Sequence, residues 1–150
     1  MKDERRRLGQ AGGVNIATHV IDFPTLGAGL HEVTEPVLGW LAGQGALHGL
    51  LTVVCRHTSA SLLVQGRDED MKADLEAFFV RLAPLMAGLY THQVDGPDDM
   101  PAHIPRGPDP GAAQHPGDRQ RARACSGQGV YLFEHRAAPQ RRHVLLQLIW

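Results

Sequence analysis

Apolar side chains recur along this chain with two periods, and each period marks a different element. Within residues 14–23, Val14, Ile16, Thr18 and Val20 occupy alternate positions, which gives an extended segment one β-branched face and predicts a strand. Residues 24–29 are turn chemistry, with Pro24, Gly27 and Gly29. A helical stripe of Val37, Leu38, Trp40 and Leu41 follows. Thr34 is read as its N-cap, Glu35 and Pro36 suit its first turn, and Gly43 and Gly45 end it. Residues 47–55 are apolar and become β-branched toward Cys55, as in a buried strand, and Leu62-Leu63-Val64 continues that strand or begins its partner.

The strongest helical period spans residues 68–83. Met71, Leu75, Phe78, Phe79 and Leu82 share a stripe, acids crowd the first turn, and Pro84 follows the end. The stripe is expected to face the core. A short helix is expected over 98–104, with Asp98 as cap and Pro101 in the first turn. Residues 130–135 and 143–149 read as two strands joined by a turn over 136–142, and so as a hairpin. Strands and helices interspersed in this way, closed by an antiparallel pair, predict an α+β fold with a mixed or antiparallel sheet and two to three helices.

One stretch fits no period. Residues 105–129 contain no Val, Ile, Leu, Met, Phe, Trp or Tyr, and Pro, Gly and Arg dominate them. Ordering such a segment costs about 1–2 kcal/mol per residue, with no apolar burial to offset it. It is expected to be a long disordered surface loop. Its prolines interrupt the charge and it offers no aromatic for stacking on bases, which argues against a nucleic-acid arm.

The 150 residues suit one domain, read as 13–150 behind a flexible polar tail over 1–12. A hydrophobic fraction of 43% is ordinary for a globular protein, and a net charge of −1 supplies no field toward nucleic acid or a membrane surface. No apolar run approaches the roughly 18 residues of a membrane span. Cys55 and Cys125 form no metal or redox spacing, so a reduced, cytoplasmic setting is expected. Nine histidines, by contrast, supply abundant bases and metal ligands.

Three clusters concentrate that chemistry. His57, Thr58, Ser59 and Ser61 combine a switchable base with three hydroxyls, which suits a phosphate and equally suits an ordinary polar strand end. Residues 90–104 hold His92, Asp95, Asp98, Asp99 and His103. Asp99 and His103 lie four apart, on one face of the expected helix, where histidine and carboxylate together bind a divalent metal or form an acid–base pair. Glu134 and His135 stand at a strand end and point to opposite faces.

The run His57-Thr58-Ser59-Ala60-Ser61-Leu62, the Asp95-Gly96-Pro97-Asp98-Asp99-Met100-Pro101-Ala102-His103 block and Gly129-Val130-Tyr131-Leu132-Phe133-Glu134-His135-Arg136 occur here in an order that resembles the YjbQ-like family, as does Gly29-Leu30-His31-Glu32-Val33-Thr34. The resemblance implies an α+β domain with its sheet folded as a sandwich or flattened barrel, assembled as a homotrimer. It implies a weak or secondary thiamine-phosphate synthase activity, joining a pyrimidine pyrophosphate to a thiazole phosphate. In that reading His57, Asp98 and His103 are catalytic, and Thr58, Ser59 and Ser61 hold phosphate. His92, Asp99, His103 and His135 are the candidate ligands of a divalent metal, Mg or Zn. The expected partners are a phosphorylated small molecule and two further copies of the chain, with no nucleic acid and no membrane. Two rival readings are a non-catalytic metal- or phosphate-binding module, and an inactive degenerate copy whose 105–129 segment departs from the family's pattern; set against that pattern, the segment also reads as a stretch translated out of frame.

Overall fold

A computed structural model describes residues 13–106, 112–116 and 127–150. The strands are β1 (Ile16–Thr25), β2 (Gly29–Glu32), β3 (Leu50–Cys55), β4 (Ala60–Gly66), β5 (Ala112–Pro116), β6 (Gln128–Glu134) and β7 (Gln140–Ile149). The helices are α1 (Thr34–Ala42), α2 (Glu69–Leu82) and α3 (Asp99–His103), the last followed by one 3-10 turn, Ile104–Arg106. Two sheets form, a four-stranded one in the order β1-β7-β3-β5 and a three-stranded one in the order β2-β6-β4. Every pairing is antiparallel. The fold is α+β, with two antiparallel sheets and three helices.

The core lies between the sheets and follows from strand alternation. Val144, Leu146 and Leu148 of β7, Leu51 and Val53 of β3, and Leu132 of β6 are buried together, and Val33, Val37 and Leu41 beside and within α1 close the same cluster. The same alternation carries Arg142 of β7 and Glu134 of β6 inward, and both are buried. On the outer face of the smaller sheet, Leu30, Tyr131 and Phe133 form a second cluster against Leu75 and Phe79 of α2.

Several sequence expectations are corrected. The strands over 130–135 and 143–149 are not a hairpin: β6 pairs with β2 and β4, whereas β7 pairs with β1 and β3. The link between them crosses from one sheet to the other, because Glu134 and Arg142 meet in the interior instead of facing across a ladder. Thr34 is the first residue of α1 and not its cap, since its hydroxyl is held by Val130, whose N–H it accepts at 2.9 Å. Asp98 occupies the N-cap position of α3 but makes no capping bond there, as its carboxylate is drawn to residues 136 and 137. No residue of α2 is buried. Met71, Phe78 and Leu82 are about half exposed, because the small sheet is covered by the Leu75 and Phe79 side alone.

The 105–129 stretch is not wholly loop. Residues 112–116 form β5, which extends the larger sheet by pairing with β3 from Val54↔Ala112 to Leu50↔Pro116. A strand edge orders backbone through its own hydrogen bonds, without needing apolar side chains. The tail over 1–12 and the remainder of that stretch, 107–111 and 117–126, lie outside the described residues.

Candidate functional site

Asp99 is the centre of the site. The turn before it is tight: Gly96 takes φ +114, and its carbonyl accepts from Asp99 N–H at 3.2 Å. One helical turn later His103 falls on the same face. The Asp99 side chain is only 2% exposed, yet its carboxylate is fully engaged. Oδ2 lies 3.1 Å from His92 Nε2 and accepts from Asp95 N–H at 3.2 Å. Oδ1 lies 3.2 Å from His103 Nε2 and accepts from Arg136 Nη1 at 3.0 Å. The Asp95 N–H holds the Asp99 carboxyl below its ordinary pKa of 3.8; burial opposes this, and the charges of His92, His103 and Arg136 reinforce it. Asp99 is therefore a carboxylate at neutral pH.

Arg136 ties the site to the end of β6. Its Nη2 lies 3.1 Å from Asp98 Oδ1 and donates to the Asp95 carbonyl at 2.5 Å, while Ala137 N–H donates to Asp98 Oδ2 at 2.9 Å. On the other side, His103 Nδ1 donates to the Thr58 carbonyl at 3.1 Å. That bond fixes the ring and its tautomer, so in the neutral imidazole Nε2 offers a lone pair toward Asp99. A lone pair facing a carboxylate calls for a positive charge between them, either a proton or a cation. His92, Asp99 and His103 each present one ligand atom, and these three atoms lie within 4.8 Å of one another.

The other sequence-nominated residues divide into two groups. The His57 ring stacks on His143 at 5.4 Å, and its Nε2 accepts from His143 N–H at 2.9 Å. Burial, together with the charges of Arg142 and His143, depresses the His57 pKa below 6.5. Thr58 reaches the Asp99 cluster through its backbone carbonyl, not its hydroxyl. Ser59 Oγ accepts from Arg142 Nη2 at 3.1 Å, and Ser61, buried, shares a 2.9 Å hydrogen bond with His135 Nε2. His135 lies on the outer face beside Phe133, with ring centroids 4.4 Å apart, and burial lowers its pKa to about 4. Neither His57 nor His135 belongs to the three-ligand group.

Glu134 and Arg142 form a buried ion pair, 0% and 4% exposed. Glu134 Oε2 accepts from Arg142 Nε at 2.6 Å and Thr25 Oγ1 at 3.0 Å, and Oε1 accepts from Arg142 Nη2 and from Arg136 N–H at 2.9 Å. Sequence reasoning assigned no role to Arg136 or Arg142. Arg136 stood within the quoted block beside Glu134 and His135, and its position two residues past a buried carboxylate was the available signal.

The fold is a two-sheet antiparallel α+β domain, and at the end of its smaller sheet a buried carboxylate is flanked by two histidines and an arginine. A profile of the family described as UPF0047 protein YjbQ-like matches residues 19–150, and the chain belongs to that family. It is similar to UPF0047 protein sll1880 of Synechocystis, with 36% identity over 130 residues, 86% of this chain and 88% of that one. Protein YjbQ of Escherichia coli O157:H7 is 36% identical over 122 residues, covering 80% of this chain and 88% of its own. Among solved structures, a YbjQ-like protein of unknown function from Sulfolobus solfataricus superposes with TM-score 0.73 at 14% identity, covering 89% of this chain and 98% of that one. A conserved hypothetical protein of Thermus thermophilus gives TM-score 0.71 at 26% identity, over 85% and 97% of the two chains. Among the described residues no helix is long and apolar enough to cross a membrane.

Proposed function

We propose that the chain is a cation-dependent transferase acting on phosphorylated small molecules, of the thiamine-phosphate synthase type. The observation that carries the reading is the His103 geometry: Nδ1 is committed to the Thr58 carbonyl, and Nε2 is aimed at a buried carboxylate that His92 also faces. Two imidazoles and one carboxylate, with a backbone carbonyl orienting one ring, are a donor set that suits Zn, whereas Mg favours oxygen ligands. Such a cation, when bound, supplies positive charge against a departing pyrophosphate. Arg136 holds Asp98 and Asp99 in place, and its charge offsets the repulsion between their two carboxylates.

The test has two readouts. Chelator-treated protein is titrated with Zn²⁺ and Mg²⁺ by calorimetry, beside His103→Ala and Asp99→Asn. One cation per chain and a loss of about 10–100-fold or more in affinity in either variant are expected. Formation of thiamine phosphate from the two phosphorylated precursors is then measured with and without the cation. Cation-dependent turnover supports the transferase. Cation binding without turnover reduces the reading to a binding module, and no binding at all removes it.

The half-exposed Met71, Phe78 and Leu82 of α2 suit contact with further copies of the chain in a homotrimer. Sedimentation equilibrium at three times 16.3 kDa is the expected result, and a monomer across the micromolar range would refute it.

A further inference from the structure

A cavity of about 300 Å³ lies between α2, the start of β2 and the end of β6, on the far side of α3 from the Asp99 cluster. The short helix is the partition: Asp98, Pro101 and Pro105 line the cavity, whereas Asp99 and His103 hold the cluster. The size suits a single small ring. Phe79 and Phe133 supply aromatic wall, meeting edge to face with centroids 5.0 Å apart.

The polar groups around this cavity have one sign. Glu76, Asp98 and Glu134 line it, and none of the described lining residues is a lysine or arginine. Asp98 is balanced by Arg136, and Glu134 by Arg142. Glu76 Oε1 accepts a hydrogen bond from Leu30 N–H at 2.7 Å. That contact needs Gly29, whose φ is +133 and where a Cβ would stand 3.0 Å from Glu76 Oε1. The carboxylate is thus positioned by backbone. His135, also in the wall, is held through Ser61 and carries no charge at neutral pH. An apolar, aromatic cavity with a fixed carboxylate repels anions and attracts a cation that buries a ring.

We propose that this cavity is a binding site for a small ring compound bearing an amine, the ring against Phe79 and Phe133 and the ammonium group toward Glu76. The site is separate from the cation reading of the Asp99 cluster, and neither depends on the other.

Benzylamine and benzoate, matched in shape and opposite in charge, are the probes, with benzyl alcohol as the neutral member. Each is titrated into the full chain at pH 7 and followed by two-dimensional NMR. Benzylamine is expected to shift the signals of Phe79, Phe133 and His135 and to bind at least tenfold tighter than benzoate. Glu76→Gln keeps an oxygen for Leu30 N–H and is expected to weaken benzylamine about tenfold while leaving benzyl alcohol unchanged. Chelator treatment is expected to leave all three affinities unaltered, which separates this cavity from the Asp99 cluster. Benzoate binding as tightly as benzylamine overturns the proposal on the wild-type chain alone. So do shifts confined to Phe78 and Leu82, or a Glu76→Gln variant that binds benzylamine normally.

Discussion

Replacing Arg142 with methionine leaves the Glu134 carboxylate buried with half of its hydrogen bonds. In the wild-type chain Glu134 is 0% exposed and accepts from Arg142 twice, from Thr25 and from Arg136 N–H. Methionine fills much of the arginine volume, so the loss is electrostatic and not a cavity. Breaking one side of a buried ion pair costs about 3–5 kcal/mol, a large share of the roughly 5–15 kcal/mol that holds a domain of this size together. Glu134→Gln strands the Arg142 charge and is expected to cost a similar amount. The double variant removes both charges while the glutamine oxygen still accepts from Arg136 N–H, so it is expected to be more stable than either single variant. Urea unfolding at pH 7, followed by far-UV circular dichroism and extrapolated linearly, gives the three values. Single-variant losses below about 1 kcal/mol, or losses that add within about 0.5 kcal/mol in the double variant, would refute the reasoning.

Acid should weaken the fold through two groups whose protons are held less tightly when folded. Burial alone would raise the Glu134 pKa, but the Arg142 hydrogen bonds, the Arg136 N–H and the Arg142 charge together bring it below 4.5. Its stabilisation is complete above pH 4.5 and is lost as pH falls through the lower folded value, so the acid decline in urea midpoint should shrink in Glu134→Gln. His135 drops from 6.5 to about 4, so the unfolded chain takes up a proton first and stability declines as pH falls from 6.5 toward 4. Its imidazole signal should titrate near 4, and a midpoint near 6.5 would show the ring to be solvated. Gly27→Ala should destabilise by more than about 1 kcal/mol in the same urea assay, because φ is +134 and the new Cβ would lie 2.7 Å from the Ala137 carbonyl oxygen; an unchanged midpoint would show that this turn relaxes freely.

What the sequence made legible, and what it concealed, divide along one physical line. Periodicity is a local property, and it placed β1, α1, α2 and the 98–104 turn close to where they stand. It also set Asp99 and His103 on one face, because four residues along a helix bring side chains together whatever surrounds them. Partner choice is not local. Nothing in residues 130–149 distinguishes a hairpin from two strands in different sheets until Glu134 and Arg142 are seen to need each other, since a buried carboxylate and a buried guanidinium are tolerable only as a pair. That pair explains more than its own stability. It holds the end of β6, and the next three residues take up three different tasks: His135 turns outward to Ser61, Arg136 reaches back to Asp98 and Asp99, and Ala137 N–H fastens Asp98. A motif that alternation alone would scatter over two faces therefore builds both the cluster and the cavity from one strand end. If this coupling is right, Arg142→Met should disturb the His92, His103 and His135 signals before it unfolds the chain, although none of those rings contacts residue 142 in the hydrogen-bond network above. Wild-type positions for all three rings in a folded Arg142→Met chain would show instead that the ion pair only adds stability.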